Sequence, residues 1–368
     1  MLILGLESSC DETSAAVVRA RGDGSFAVLS NIVASQIPIH RKYGGVVPEI
    51  ASRAHVEAIS SITYQALSEA GVTVEDIELI SVTSHPGLIG ALLIALNFAK
   101  GLASANGKPL VGVNHIHGHV AACYLAEEKT PVPKPPYLAL VVSGGHTSIY
   151  YVKSYTEFVE IGATRDDAMG EAFDKIGRII GIPYPAGAGF DKLAAQGFAQ
   201  VTGDASASLA CYKKAVGREP EFRLPSPALS GDTLDFSFSG LKTAAINLLH
   251  KLEQRGQELC RERFAAAYTY EAVQAVATKT ATALSRYPGT ALVACGGVAA
   301  NSHLRKRLAE LAAEKGVPLY IPPISLCGDN AAMIAAAGYY EYLEGNIADS
   351  TLNASALDEP FGNVRRGK

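Results

Sequence analysis

Two stretches of this chain repeat one another at a constant offset. Leu4, Leu6, Ser9, Thr13, Ser14 and Val18 recur without a gap as Leu138, Leu140, Ser143, Thr147, Ser148 and Val152. In the first copy residues 3–6 and 15–18 are short apolar runs and residues 7–14 between them are polar, so the unit reads strand, turn, strand. The first turn, Glu7-Ser8-Ser9-Cys10-Asp11-Glu12-Thr13-Ser14, offers backbone N–H groups, hydroxyls and carboxylates together. The second carries Gly144-Gly145 at its tip, where missing side chains let backbone amides approach an anion closely. Both suit a nucleotide phosphate or its cation; a plain hairpin tip is the simpler reading of either turn taken alone. Two units of one design predict two similar lobes.

Between the copies, residues 48–70 have helical spacing and 79–83 read as a strand. Residues 84–87 read as a loop feeding an apolar helix over 88–105, and 110–113 as another strand. Alternating strands and helices imply α/β layers with ligands gathered at strand ends. The proline-rich segment 130–136 is a stiff connector and marks a boundary. The expected organisation is a first lobe over 1–132, completed by a C-terminal helix over 325–348, and a second lobe over 137–322. Within the second lobe, residues 166–180 read as a helix with Asp166 as its N-cap. Residues 184–189 read as a glycine-rich loop leading to Asp191. Residues 198–236 read as an irregular excursion carrying Lys213, Lys214, Arg218 and Arg223. A solvated loop is the simpler account of that excursion, and a substrate lid or an RNA-facing surface the functional one. Residues 236–287 read as a helix pair, and 291–311 as strand, Gly296-Gly297 turn and helix, a third loop able to approach an anion. Paired strand-turn-strand phosphate loops facing each other across a central cleft are the arrangement of the actin, hexokinase and heat-shock ATPase (ASKHA) superfold.

The segment 114–122 follows a strand and places three imidazoles within five residues. On a helix, His115 and His119 are four apart and project from one face, which is metal-ligand spacing, while His117 points elsewhere. A zinc-peptidase helix of the H-E-x-x-H kind needs Glu directly after the first His; here that residue is Ile116. Near the far end, Asp329 lies in Cys327-Gly328-Asp329-Asn330-Ala331-Ala332-Met333, which begins a terminal helix. It reads most simply as an N-cap, although two His and one carboxylate form a common open site for zinc or iron.

Composition limits the surroundings of this chemistry. A formal charge of −4 over 368 residues gives no global attraction for nucleic acid, so any such contact is local or shared with a partner. The six cysteines, at 10, 123, 211, 260, 295 and 327, include no C-x-x-C pair and read as reduced thiols. The apolar start 1–6 lacks a basic flank and runs into Glu7, Asp11 and Glu12, unlike a signal peptide. The most apolar later run, 88–99, stops at Lys100, too short to span a bilayer. A soluble, cytoplasmic protein without membrane attachment is expected.

Taken together, several blocks resemble the tRNA N6-adenosine threonylcarbamoyltransferase family, TsaD in bacteria, over nearly the whole chain. They are Glu7-Ser8-Ser9-Cys10-Asp11-Glu12-Thr13, Tyr43-Gly44-Gly45-Val46-Val47-Pro48-Glu49, His115-Ile116-His117-Gly118-His119, Ser143-Gly144-Gly145-His146-Thr147 and Gly170-Glu171-Ala172-Phe173-Asp174-Lys175, followed by Phe236-Ser237-Phe238-Ser239-Gly240-Leu241-Lys242, Gly296-Gly297-Val298-Ala299-Ala300-Asn301 and Asp329-Asn330-Ala331-Ala332. The resemblance implies the superfold named above and one divalent ion per subunit, iron or zinc, held by His115, His119 and Asp329. It implies ligand contacts from Val141, Val142, Ser143, Gly144 and Gly145, with Asp174, Gly187, Asp191 and Asn301. The implied donor substrate is threonylcarbamoyl-adenylate, and the acceptor is the adenosine beside the anticodon, tRNA position 37, in tRNAs reading codons that begin with A. The implied partners are tRNA, a degenerate paralogue and a small ATPase. Three positions depart from the family pattern: His85 stands where Gly is usual, Ala186 replaces the first Gly of Tyr-Pro-Gly-Gly, and Gly328 precedes Asp329 where bacterial members often carry Thr.

The donor is a mixed anhydride with AMP as a good leaving group, whereas the adenosine N6 is a poor nucleophile, so positioning and charge stabilisation must supply most of the acceleration. No Ser-His-Asp or Cys-His pairing is evident, and Asp11 and Glu12 are the candidates for a general base. Three other classes stay in view: an ATP-dependent kinase or ATPase of the same superfold, a metallopeptidase, and a non-catalytic nucleotide-binding scaffold.

Overall fold

The computed structural model describes residues 1–22, 24–125, 132–217, 221–227, 229 and 232–358. It divides into two compact units, Met1–Pro135 with Val152–Val159 and Pro322–Lys368, and Pro136–Tyr151 with Glu160–Ile321. The connector residues Thr130 and Pro131, and Arg218 of the basic excursion, lie outside the described residues.

Two five-stranded sheets carry the fold. The first is built from β1 (Leu2–Glu7), β2 (Glu12–Ala20), β3 (Phe26–Ser35), β4 (Leu79–His85) and β5 (Leu110–Asn114), in the order β3-β2-β1-β4-β5. The second is built from β6 (Tyr137–Val142), β7 (Thr147–Val152), β8 (Phe158–Ala163), β9 (Ala291–Cys295) and β10 (Leu319–Tyr320), in the order β10-β9-β6-β7-β8. Read from its other edge, the second order matches the first strand for strand. The repeat in sequence is therefore a repeat in topology. β1 runs antiparallel to β2 and parallel to β4, and β6 runs parallel to β9, so each turn of the repeated unit opens beside a parallel strand end.

In the first unit β1 is buried on both faces, and its alternation sorts what covers it. Leu4 and Leu6 pack with Ile59, Ile62 and Leu67 of the helix Pro48–Ala70 and with Ala95, Leu96 and Ala99 of the helix Ile89–Asn106. Gly5 faces the other way, toward the helix Ala331–Leu343. A Cβ at Gly5 would stand 2.1 Å from the Ala331 carbonyl oxygen, so only glycine lets this helix start directly on the strand.

The sequence expectation for the apolar run is corrected here. Its helix continues through Lys100 to Asn106, and at 18 residues it is long and apolar enough to cross a membrane by length and composition. Its face of Ala91, Leu92, Ala95, Leu96, Ala99 and Ala103 is buried in the unit, and Lys100 Nζ donates to the Leu352 carbonyl at 2.9 Å. Packing, rather than length, accounts for its composition.

Two further elements differ from expectation. The helix expected over 166–180 spans Met169–Ile179 with Ala168 at its N-cap. Asp166 instead caps a helix 73 residues away: its carboxylate accepts from Phe238 N at 2.7 Å, Ser239 N at 3.1 Å and Ser239 Oγ at 2.6 Å, at the start of the helix Ser239–Gln254. A cap this distant has no local signature. The excursion 198–236 is also more ordered than expected, since Leu209–Val216 is a helix capped by Ser208 and carrying Lys213 and Lys214. In the second unit Phe173, Phe190 and Tyr268 pack ring against ring at 5.0–5.6 Å and tie the helices Met169–Ile179, Gly187–Thr202 and Arg261–Arg286 together.

Candidate metal centre and nucleotide loops

β5 ends at Asn114, whose side chain accepts from Ile116 N at 2.7 Å and His117 N at 3.3 Å and so starts the helix His115–Ala121 at once. That cap fixes the helix phase and sets His115 and His119 on one face, their ring centroids 4.7 Å apart. Asp329 arrives from the other end of the unit. The N-cap of the helix Ala331–Leu343 is Asn330, which accepts from Met333 N at 3.1 Å, so the simple capping reading of Asp329 is overturned and its carboxylate is left for other work. Asp329 Oδ1 lies 3.5 Å from His115 Nε2 and 3.2 Å from His119 Nε2.

These three residues fit a divalent ion. Each offers one donor atom, and the donor atoms lie within 4.8 Å of one another. His119 is buried, yet among the described residues neither ring nitrogen makes an aligned hydrogen bond, and Nε2 has only the Asp329 carboxylate at 3.2 Å. A buried imidazole without partners is costly unless something binds it. Two nitrogens and one oxygen suit zinc or iron better than calcium or magnesium. Burial works against charge on both partners. Even so, His115 and His119 hold Asp329 well below the usual carboxylate range, and Glu7 and Asp329 hold His115 well above the usual imidazole range. The ring of His117 instead stacks on Phe158 at 3.7 Å. Burial, with His85 acting in the same sense, pushes His117 down to about 4, so it is a neutral packing group beside the trio.

The acidic turn lies next to this centre. Burial first, and then the carboxylates of Asp329 and Asp11, push Glu12 up to about 9, and it shares a hydrogen bond with Asp11. That shift favours the protonated form of Glu12 at neutral pH and weakens its candidacy as a base. Burial, then Asp11, raises the Cys10 thiol, which makes it a poor nucleophile.

A hydrogen-bond chain with one permitted direction anchors this turn. Val47 N donates to His40 Nδ1, His40 Nε2 to Gln36 Oε1, Gln36 Nε2 to His55 Nδ1, and His55 Nε2 to the Cys10 carbonyl. The chain ties the Gly44-Gly45 segment to the peptide before Asp11, a link that spacing along the sequence does not reveal.

In the second unit the expected nucleotide residues divide by what they already hold. Val141 and Val142 are fully buried strand residues, so only their main chain is available. Gly144 and Gly145 are open, with nothing within 4 Å of where a Cβ would stand. Ser143 accepts from His146 N at 3.1 Å and shapes the turn. Gly296, at φ +92°, lies so close to β6 that a Cβ would stand 2.3 Å from the Val142 carbonyl oxygen, which brings the third glycine turn against the second. Asn301 caps the helix Ser302–Lys315 through Leu304 N at 2.9 Å. Asp191 accepts from Ser302 N at 3.1 Å and Ser302 Oγ at 3.0 Å, joining the helix that starts at Gly187 to the one that starts at Ser302. Asp174 accepts from Ala186 N at 2.6 Å and holds the turn before the helix Gly187–Thr202, so the glycine loop expected over 184–189 is already helical from Gly187. The methyl group of Ala186 occupies space that Gly177 leaves free, which accounts for how alanine is tolerated there. His85 lies at the end of β4 with Nδ1 2.8 Å from Ser84 Oγ. Gly328 has no side-chain contact to lose, and nothing in the structure explains its replacing threonine.

The residue that sequence reading passed over is Glu7, quoted only as part of a motif. It closes an apolar strand and is completely buried, and a carboxylate at the end of such a strand signals an obligatory partner; that partner is His115.

Comparison with known proteins bears on the chain as a whole. The sequence profile of tRNA N6-adenosine threonylcarbamoyltransferase, TsaD, matches residues 27–336. A tRNA N6-adenosine threonylcarbamoyltransferase of Clostridium botulinum (strain 657 / Type Ba4) is 47% identical over 352 residues, 96% of either chain. One of Bacillus cereus (strain ATCC 14579) is 48% identical over 355 residues, 96% of this chain and 95% of its own. A crystal structure of T. kodakarensis HypF, 14% identical, superposes with a TM-score of 0.55 over 97% of this chain and 49% of that one, a likeness of fold alone. The fold is α/β with two five-stranded sheets, and HypF shares it. On the profile match and the identity across almost its whole length, the chain belongs to the tRNA N6-adenosine threonylcarbamoyltransferase family.

Proposed function

We propose that this transferase takes the threonylcarbamoyl group from threonylcarbamoyl-adenylate and places it on N6 of the adenosine at tRNA position 37, beside the anticodon, in tRNAs reading codons that begin with A. The N6 nitrogen attacks the carbamoyl carbon, the bond from that carbon to the phosphate oxygen breaks, AMP leaves, and the N6 proton passes to a base. The observation that carries the proposal is the trio of His115, His119 and Asp329, with donor atoms within 4.8 Å of one another beside the acidic turn. A divalent ion held there, iron or zinc, supplies Lewis acidity and a template for substrate oxygens.

The chain's own residues divide the remaining work. The open Gly144-Gly145 tip receives the phosphate side of the donor, with Ser143 fixing the turn and the Val141 and Val142 main chain beneath it. Asp174, Gly187, Asp191 and Asn301 frame the sugar and base, with Asp174 and Asp191 acting partly by holding their loops. Asp11 accepts the N6 proton, and Glu12, already protonated, steadies Asp11 through their shared hydrogen bond. The raised thiol of Cys10 argues against that side chain as a covalent nucleophile.

A chain of net charge −4 meets tRNA at a local surface with help from other proteins, here a degenerate paralogue and a small ATPase, in the cytoplasm. The test is transfer in vitro with pre-formed donor, tRNA and these partners. Wild type is expected to release AMP and modify adenosine in equal amounts. His119→Ala, correctly folded, is expected to lose bound metal and at least about 100-fold in transfer, a cost comparable to that of one lost transition-state contact. Metal retention and full transfer by His119→Ala would sink the assignment.

A further inference from the structure

Glu7 ends β1 behind the metal-ligand trio, and it is fully buried. Its two oxygens receive three donors. Ser9 N donates to Oε1 at 2.5 Å, while Thr83 Oγ1 donates to Oε2 at 2.5 Å and His115 Nδ1 to the same oxygen at 3.0 Å.

His115 Nδ1 also lies 3.2 Å from Ser9 Oγ, a hydroxyl that can donate or accept, so it is the carboxylate that decides the polarity of this set. An ionised carboxylate only accepts, and a ligating imidazole is neutral, so the ring's single proton sits on Nδ1. Nε2, the nitrogen facing Asp329 at 3.5 Å, is then the one left to bind. His119 has no counterpart to Glu7 among the described residues, since its Nδ1 has no hydrogen-bond partner there. The two histidines are therefore unequal: one ring is clamped from behind, and the other is placed only by its helix.

We infer that Glu7 is the positioning residue of the metal centre, selecting the tautomer and ring orientation of His115 and thereby setting the affinity for the ion. The inference rests on the reading of His115, His119 and Asp329 as metal ligands. Glutamine, though nearly the same shape, cannot replace Glu7. Its amide would present N–H groups to a site that already holds three donors, and it lacks the charge that strengthens the Nδ1–H bond.

The test uses the full chain stripped of metal and titrated with zinc in competition with a chromophoric chelator. Glu7→Gln is expected to raise the zinc Kd about 10- to 100-fold, the usual cost of losing a carboxylate behind a ligating histidine. Thr83→Val, which removes one donor and leaves the Glu7–His115 pair, is expected to shift the Kd less than Glu7→Gln does. A Kd for folded Glu7→Gln equal to that of wild type, with His115→Ala losing zinc, overturns the role of Glu7 alone. Zinc binding indifferent to His115→Ala overturns the metal-centre reading and this inference with it. Nitrogen-15 NMR of the zinc-loaded wild type gives a second readout that needs no folded variant: the His115 proton is expected on Nδ1, and a proton on Nε2 overturns the proposal.

Discussion

At the scale of single residues, the site is governed by which buried polar groups are already satisfied. Asn330 takes the cap and leaves Asp329; Glu7 takes one face of His115 and leaves the other; His119 makes no aligned hydrogen bond among the described residues. Glu12 gives this arrangement a measurable sign. Its folded pKa of about 9 lies above the ordinary 4.5, so between these values the folded chain holds a proton that the unfolded chain releases. Stability of the metal-free protein therefore falls as pH rises through that window. Glu12→Gln removes the dependence: its melting temperature is expected to exceed that of wild type at pH 8 and to converge with it near pH 5. A constant gap across this range in thermal melts would contradict the assigned environment. The histidine pair and Asp329 were legible in the sequence because ligand chemistry needs particular residue types and the pair has helical spacing. Asn330 as the cap, and Glu7 as partner to a ring 108 residues away, were not, because each depends on which of two neighbouring groups the fold turns inward.

Elements show the same division between local and distant causes. The strands of the repeated unit and the helices Pro48–Ala70, Ser239–Gln254 and Arg261–Arg286 follow from apolar spacing and were readable directly. The helix Met169–Ile179 was read three residues too early because Asp166 has the chemistry of a cap. It is one, for the helix Ser239–Gln254. The Phe-Ser-Phe-Ser-Gly-Leu-Lys block is thereby tied to the loop before Met169, with Lys242 and Lys175 both paired to Asp167. Replacing Asp166 by alanine strips the cap from Phe238 N and Ser239 N, and about 1–2 kcal/mol of stability is expected to go with it. Urea denaturation checks this; a midpoint unchanged from wild type would mean that solvent satisfies the helix start equally well.

For the molecule as a whole, six matching residues point to two similar lobes without giving a strand order, and the two sheets share one order. Helical order within the basic excursion was not foretold, since Leu209 and Tyr212 are buried by contacts that periodicity does not register. The central claim is that this chain modifies tRNA through a centre held by His115, His119 and Asp329. It is tested most directly by mass analysis of tRNA nucleosides from source cells depleted of the protein and complemented with wild type or Asp329→Ala at equal abundance. Threonylcarbamoyladenosine is expected to vanish on depletion, to return with wild type and to stay absent with Asp329→Ala. Its persistence after depletion, or its full return with Asp329→Ala, would contradict the account.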